Sequence, residues 1–118
     1  MRVPSHPTQI RRMLTSRLKQ LTPAGPILAA SLCEVSKRCG QPSCACHHDG
    51  PLHIAHHLTF KDDGKTRTVY VPQDMLGEVR TWVTEYQRLK ALTHEISQLT
   101  LALVRGHVTD RKRRQGRS

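Results

Sequence analysis

A cluster of cysteines and histidines constrains the fold of this chain more than any other feature. Cys39, Cys44, Cys46, His47 and His48 lie within ten residues. Thiolate and imidazole are the ligands that zinc prefers, in near-tetrahedral sets of four. The Gly-Gln-Pro-Ser spacer before Cys44 suits a tight turn. The segment 37–51, here called the knuckle, is therefore predicted to bind a structural zinc ion through Cys39, Cys44, Cys46 and His48.

The spacing of these ligands leaves alternatives open. Common structural zinc sites use two separated ligand pairs, whereas the pattern here is C-x4-C-x-C-x-H. Either Cys33 or His47 can take the place of His48 as the fourth ligand. The cysteines can also be reduced thiols without metal, some of them buried as small apolar groups, or can form disulfides.

The chain is too poor in apolar residues to build a large core alone. It has 118 residues, of which 36% are hydrophobic and 3% aromatic. We expect one domain at most, supplemented by a metal ion, a partner subunit or nucleic acid. The predicted segments are a basic arm with a short helix over residues 1–26, a central region over residues 27–104, and a disordered basic tail over residues 105–118.

Local patterns predict an α+β fold. A short helix is expected over Thr8–Leu21 with Thr8 as its N-cap, and the segment Ile27–Arg38 is ambiguous. Two strands, Leu52–Phe60 and Thr66–Val71, should form a two-stranded hairpin, since Asp-Asp-Gly between them is a turn sequence. Histidines 53, 56 and 57 are interpreted as polar strand residues, with extra metal ligands or a pH-sensitive cluster as the alternatives.

A long helix follows, predicted from about Asp74 to Val104 and ended by Gly106. Its apolar residues recur with a mean spacing of 3.5, the period of a coiled coil. The second half of this stripe can pack against the N-terminal helix, associate with a second copy, or dock on another protein. Association in a homodimer or with another protein is favoured. The seam for this partner helix consists of Leu89, Leu92, Ile96, Leu99 and Leu103.

The charge predicts a polyanionic partner. The net charge is +10 with a pI near 10.2, and the two ends are basic while the middle is nearly neutral. Such a distribution favours arms that contact DNA or RNA. The predicted nucleic-acid-binding residues are Arg11, Arg12, Arg17, Lys19, Lys37, Arg38, Lys65, Arg67, Arg111, Lys112, Arg113 and Arg114.

Several function classes are disfavoured. No apolar run approaches the length of a membrane span and no signal peptide opens the chain, so we expect a cytoplasmic protein without a membrane partner. The sequence has no paired carboxylates in a plausible site, no Gly-rich phosphate loop and no Ser/His/Asp arrangement that outranks chance, so an enzyme is not expected. An enzyme ranks third among the function classes, and the signal for a redox role of Cys44-Ala45-Cys46 is weak, because C-x-C lacks a thioredoxin-like pattern.

Two strings resemble a family of small prokaryotic proteins of unknown function. They are Arg38-Cys39-Gly40-Gln41-Pro42-Ser43-Cys44-Ala45-Cys46 and Gly64-Lys65-Thr66-Arg67-Thr68-Val69-Tyr70-Val71-Pro72, within a resemblance over roughly residues 30–100. Members of that family are often encoded beside transposons and other mobile elements. The resemblance implies that Cys39, Cys44 and Cys46 are ligands. The chain departs from the family's His-Gly-Pro by carrying His48-Asp49-Gly50-Pro51, and it lacks the aromatic residues that usually follow.

The hypothesis that joins these features is a non-enzymatic nucleic-acid-binding accessory protein of a mobile genetic element. It would act in transposition with a transposase or recombinase, or in an RNA–protein complex. Arms rich in Lys and Arg would neutralise phosphates while the knuckle and hairpin set the register. The alternative is a coiled-coil adaptor for protein interaction, in which the zinc knuckle is purely structural.

Overall fold

The described residues form two α-helices and one antiparallel sheet, which confirms the predicted α+β class. A computed structural model describes residues 1–38, 40–48 and 50–116. The helices and strands are α1 Pro7–Lys19, β1 Ser31–Lys37, β2 His53–Asp62, β3 Lys65–Val71 and α2 Leu76–Gln115. Short 3-10 turns cover Ala45–His47 and Gln73–Met75.

The chain divides into two compact units, which are described separately. The helical unit contains residues 1–24 and 87–118, and the sheet unit contains residues 25–86. The helical unit therefore joins the two ends of the chain, with α1 from one end and most of α2 from the other. The first turns of α2 belong to the sheet unit.

The sheet has three strands in the order β1-β2-β3, all antiparallel. The predicted hairpin is present as β2 and β3. Its turn residues Asp63 and Gly64 have φ angles of 51° and 79°, the positive values that a two-residue hairpin turn requires. The segment that was ambiguous in sequence supplies β1 as a third strand, so the prediction of a two-stranded ribbon is corrected. The sequence of β1 does not alternate cleanly, because Leu32 and Val35 lie on opposite faces of the sheet.

One face of the sheet is covered by the start of α2. Leu58 and Val71 point to this face and are 8% and 4% exposed. They form a cluster with three buried residues of α2, Leu76, Val79 and Val83. Half-buried residues around that cluster are Leu28, Ala30, Leu32 and Trp82. The backbone N–H of Leu28 also donates to the Trp82 carbonyl at 3.1 Å, which fixes the segment before β1 on the helix.

In the helical unit, α1 begins one residue earlier than predicted. His6, not Thr8, is the N-cap, and its Nδ1 accepts a hydrogen bond from the Thr8 N–H at 3.2 Å. Pro7 occupies the first helical position, where its fixed φ fits and its missing N–H costs nothing. The inward side of α1 carries Ile10, which is 2% exposed.

The predicted helical seam lies in the same unit as α1. Leu92 and Leu99 are buried, at 7% and 0% exposure, and Leu89, Ile96 and Leu103 are half-buried. This burial arises within a single chain. The sequence left three possible partners for the seam: the N-terminal helix, a second copy or another protein. The structure places α1 in the same unit as the seam, and association with a second copy or another protein stays a prediction.

The C-terminal helix is longer than the sequence predicted. It continues through Gly106 and ends at Gln115, so the predicted helix end is wrong. The segment expected to be a disordered tail is helical as far as Gln115. A single exposed glycine costs a helix only about 1 kcal/mol relative to alanine, and the helix formers on both sides outweigh that cost. Despite the 40 residues of α2, no helix in the described part of the chain is both long and apolar enough to cross a membrane.

Candidate functional site

The knuckle is built from two consecutive tight turns. In the first, the Cys44 N–H donates to the Gln41 carbonyl at 3.0 Å, and Pro42 occupies the second position of that turn, where its fixed φ is favourable. In the second, the His47 N–H donates to the Cys44 carbonyl at 3.1 Å as the 3-10 turn forms. The chain thus reverses around the residues that carry the sulfur atoms.

A glycine closes the knuckle where the backbone returns on itself. The N–H groups of His48 and Gly50 both donate to the Ala45 carbonyl, at 3.0 and 2.9 Å. A Cβ atom on Gly50 would lie 2.6 Å from both the Cβ and the carbonyl oxygen of Ala45. No side chain fits at that separation, so the close approach requires glycine. After Pro51 the chain enters β2.

Three side chains of the sheet unit come together as potential metal ligands. The ligand atoms of Cys44, Cys46 and His53 all lie within 4.8 Å of one another, and Cys44 Sγ is 3.3 Å from His53 Nε2. Tetrahedral zinc, with bonds of about 2.3 Å to sulfur and about 2.0 Å to nitrogen, places these ligand atoms about 3.5 Å apart. Two thiols and an imidazole at these separations fit a metal ion.

The exposure of these ligands is graded. Cys46 is 1% exposed, Cys44 is half-buried and His53 is exposed. His53 is therefore the member of the group that lies at the protein surface. A neutral thiol is readily buried as a small apolar group, whereas a thiolate at this position would need a cation to compensate its charge.

The predicted ligand set agrees with this group in part. Cys44 and Cys46 belong to it, while Cys39 lies outside the described residues. His48 is exposed and is not a member of the group that the described residues form. The alternative Cys33 lies in β1, where its Sγ is 3.8 Å from Thr59 Oγ1.

The sequence favours His53 as a polar strand residue and leaves a metal ligand as an alternative; the structure places it in the group with Cys44 and Cys46. It is the first residue of β2, directly after the Gly50-Pro51 return, and its backbone pairs with Lys37 at the end of β1. The other two strand histidines have different surroundings. His56 is buried with its Nε2 4.0 Å from Glu34 Oε2, and His57 lies on the opposite face of the sheet.

Basic residues predicted to bind nucleic acid form one continuous surface on α1. Arg11, Arg12 and Lys19 are exposed and line a shallow hollow together with hydroxyl and amide side chains. Those side chains are Thr8, Thr15, Ser16 and Gln20. Arg17 is different, because its Nε donates to Glu95 Oε2 at 2.8 Å. That contact directs Arg17 to α2 instead of to solvent.

The remaining predicted residues divide between the two units. Lys37, Arg38, Lys65 and Arg67 are exposed in the sheet unit, and Arg67 Nε lies 3.9 Å from Asp62 Oδ2. Four other predicted residues are exposed on the last turns of α2. Two of them, Arg111 and Arg114, line a hollow with His107 and Asp110. Those four are Arg111, Lys112, Arg113 and Arg114.

Division of the chain into two units also separates its charge. Of the 19 Lys and Arg residues, 13 belong to the helical unit and 6 to the sheet unit. Of the nine Asp and Glu residues, 2 belong to the helical unit and 7 to the sheet unit. The helical unit therefore has a net charge of +11 and the sheet unit −1. The two basic ends of the sequence thus belong to the same unit of the fold.

Comparison with known families identifies the chain at the level of a domain. The family model for a domain of unknown function, DUF6788, matches residues 8–81, which is more than half of the chain. The chain belongs to the DUF6788 family. The DUF6788 match includes all but the first residue of α1, the knuckle and the whole sheet. It begins earlier and ends sooner than the resemblance noted over roughly residues 30–100. No curated protein and no solved structure shows significant similarity to the chain.

Proposed function

We propose that this DUF6788 protein is a non-enzymatic nucleic-acid-binding protein whose helical unit contacts the phosphate backbone. The observation that carries the proposal is the concentration of charge, +11 in one unit against −1 in the other. A unit with this charge attracts a polyanion over long range, and binding releases the counterions condensed on it.

The exposed surface of α1 is the first contact that we assign. Arg11 and Arg12 lie one turn from Thr15 and two turns from Lys19, so cationic and hydroxyl groups follow one another along the helix. Guanidinium groups bind phosphate oxygens in a bidentate manner, and hydroxyls add neutral hydrogen bonds. Arg17 is not part of this contact because Glu95 holds it.

The last turns of α2 provide a second contact. Arg111, Lys112, Arg113 and Arg114 are exposed there with one acidic neighbour, Asp110. Cations at the C-terminus of a helix are also favoured by the helix dipole, which helps the segment to stay helical. Phosphate contacts of this kind position a nucleic acid without reading its sequence, so DNA and RNA are both candidate ligands.

The biological setting that we propose is that of an accessory protein of a mobile genetic element. The resemblance of the knuckle and β3 strings to proteins encoded near transposons supports this setting. The proposed partner is a transposase or recombinase, or an RNA–protein complex. Copurification from the native host, followed by sequencing of the bound nucleic acid and mass spectrometry of bound proteins, tests it; recovery of neither would contradict it.

The metal group has a structural role in this proposal. Cys44, Cys46 and His53 would hold zinc. Cys39, the ligand predicted from the sequence that lies outside the described residues, would be the fourth. Zinc would contribute stability rather than chemistry, because four protein ligands leave no position for a substrate. A structural metal ion suits a sheet unit in which the buried cluster of the described residues has five members.

Salt dependence of binding tests the nucleic-acid proposal directly. We expect the affinity for a duplex DNA or RNA probe to fall steeply between low and moderate salt. Arg11→Ala and Arg12→Ala should each weaken binding and reduce the slope of log K against log salt by about 1. The control is Arg80→Ala, because Arg80 is also an exposed helical arginine but belongs to the sheet unit. Affinity that does not change with salt, or an equal loss for all three variants, would contradict the proposal.

An adaptor function based on helix association is the second candidate. Three apolar residues of α2 remain exposed at spacings of three and four: Leu101 at 45%, Val104 at 55% and Val108 at 45%. This stripe, rather than the mostly covered seam, is the surface that would associate with a second copy. Light scattering should show a dimer that Val104→Lys dissociates. A monomer at every concentration would contradict the dimer.

A further inference from the structure

The face of the sheet opposite the one covered by α2 is exposed in part: Ala55 is 8% exposed there, Cys33 and His57 are half-buried, and Tyr70 is exposed. Antiparallel pairing places Cys33, His57 and Tyr70 side by side across the three strands on this face. The covered face carries the buried residues Leu58 and Val71, which belong to the alternate positions of β2 and β3. We call the surface around the row Cys33, His57 and Tyr70 the open face.

An aromatic side chain stands at the edge of this open face. Tyr70 is 58% exposed, although tyrosine is a large amphipathic residue that is usually covered more extensively. Its ring contacts His57 edge to face, with centroids 5.9 Å apart and planes at 68°. The contact holds the tyrosine ring from one side while leaving much of it accessible to a ligand.

Charge is distributed between the two faces of the sheet. In the described strands, the acidic residues Glu34 and Asp62 lie on the covered face, which also carries Leu58. On the open face the charged residues of these strands are Lys37 and Lys61, with no carboxylate among them. Lys61 lies four residues from His57 along β2, about 13 Å away at the rise of a strand.

Between the aromatic row and Lys61 lies a row of hydroxyl groups. Ser31, Thr59 and Thr68 are paired side by side across the three strands. The face therefore presents, in order, two aromatic rings, three hydroxyls and a lysine. Hydroxyls accept and donate hydrogen bonds to bases and sugars, and lysine contacts phosphate as a point charge.

We propose that the open face binds single-stranded nucleic acid by stacking a base on Tyr70, with Lys61 contacting the backbone. Every base has a π-face, and stacking on an exposed aromatic ring is the common way to bind single strands without sequence preference. A duplex does not offer this contact because its bases are already stacked. A protein partner is disfavoured, because Val35 and Tyr70 are the large hydrophobic residues exposed on this face of the described strands.

This inference rests on the proposed function, since it names the form of nucleic acid and a contact outside the helical unit. The test compares fluorescein-labelled oligo(U), oligo(dT) and a duplex of mixed sequence. Tyr70→Ala should weaken binding of the single strands about fivefold or more and leave duplex affinity unchanged. Tyr70→Phe should retain single-strand affinity, because the ring is kept.

The matched control is Val69→Ala, since Val69 is the preceding residue of β3, 48% exposed and on the covered side of the sheet. It should bind single strands like the unmodified protein. Photocrosslinking of a 4-thiouridine-containing oligo(U) to the unmodified protein gives a readout that does not depend on the folding of a variant. Mass spectrometry should place the crosslink on the β3 peptide that contains Tyr70.

The outcomes distinguish this inference from the proposed function. If Arg11→Ala weakens binding of all three probes while Tyr70→Ala changes none and no crosslink maps to β3, the stacking proposal is wrong and the proposed function stands. If the unmodified protein binds none of the probes at low salt, both proposals are wrong. A difference between oligo(U) and oligo(dT) for the unmodified protein would identify RNA or DNA as the preferred single strand.

Discussion

Cys44 Sγ lies 3.3 Å from Nε2 of His53, and this contact joins the knuckle to the first residue of β2. The backbone of His53 pairs in turn with Lys37, the last residue of β1. Both ends of the knuckle are therefore held at one place by the sheet. A metal ion at Cys44, Cys46 and His53 would link the knuckle to the start of β2. It would stabilise the folded state, because the site forms only when the chain folds.

Replacement of a ligand should remove the metal and destabilise the protein. We expect Cys44→Ser, Cys46→Ser and His53→Ala each to lower the metal content measured by inductively coupled plasma mass spectrometry to less than half of the unmodified value. The melting temperature should fall by on the order of 10 °C, because binding energy at a structural site is folding energy. Addition of a chelator should lower the melting temperature of the unmodified protein and have little further effect on these variants.

Two other substitutions show whether the ligand set is the one described. Cys33→Ala should keep full metal content, since Cys33 is in β1 beside Thr59. His48→Ala tests the fourth ligand predicted from sequence against the group that contains His53. Retention of metal by His53→Ala together with its loss in His48→Ala would show that the predicted set was right and the observed group is not the binding site.

Gly50 should not tolerate a side chain. Its substitution by alanine places a Cβ atom 2.6 Å from the Cβ and carbonyl oxygen of Ala45. Relief of that overlap requires a backbone shift, which typically costs about 1–3 kcal/mol. Urea denaturation should show this loss for Gly50→Ala, whereas Gly25→Ala, where the new Cβ has no neighbour within 4 Å, should change the midpoint little. Equal midpoints for both variants would contradict the close approach of Gly50 to Ala45.

The parts of the fold that sequence predicted are those that depend on neighbouring residues. The turn at Asp63 and Gly64 requires positive φ, and Asp-Gly supplies it locally. The regular spacing of apolar residues in α2 is also a local feature of the sequence. It predicted that the helix exists, although not where it ends. Cys44 and Cys46 were also identified from local spacing, since they flank a single residue of one 3-10 turn.

The parts that sequence missed depend on pairing between distant segments. β1 has no clear alternation, and its place in the sheet follows from antiparallel pairing with β2, in which Ser31 is opposite Thr59. His53 becomes a potential ligand for the same reason, because the turn at Gly50 brings the start of β2 back to Cys44. Arg17 was counted as a phosphate contact because its partner, Glu95, is 78 residues away in sequence.

The ion pair between Arg17 and Glu95 should couple α1 to α2 within the helical unit. The two side chains are 26% and 33% exposed and their atoms are 2.8 Å apart. A double-mutant cycle with Arg17→Ala and Glu95→Ala should give a coupling free energy of about 0.5–1 kcal/mol, as for partly exposed pairs. Arg17→Ala should affect nucleic-acid affinity less than Arg11→Ala. A coupling free energy near zero, with equal losses of affinity, would show that Arg17 is available to phosphates.

Gly106 distinguishes a continuous C-terminal helix from one that ends at this residue. Within α2 its substitution by alanine adds a Cβ with no neighbour within 4 Å. Alanine is the better helix former, so Gly106→Ala should raise the free energy of unfolding by about 0.5–1 kcal/mol and slightly increase helical circular dichroism. The control is Gly64→Ala, which forces a side chain into a φ of 79° and should instead lower stability by about 1 kcal/mol. If Gly106→Ala destabilised the protein as much as Gly64→Ala does, Gly106 would have the left-handed conformation typical of a helix end, and the residues after it would not continue α2.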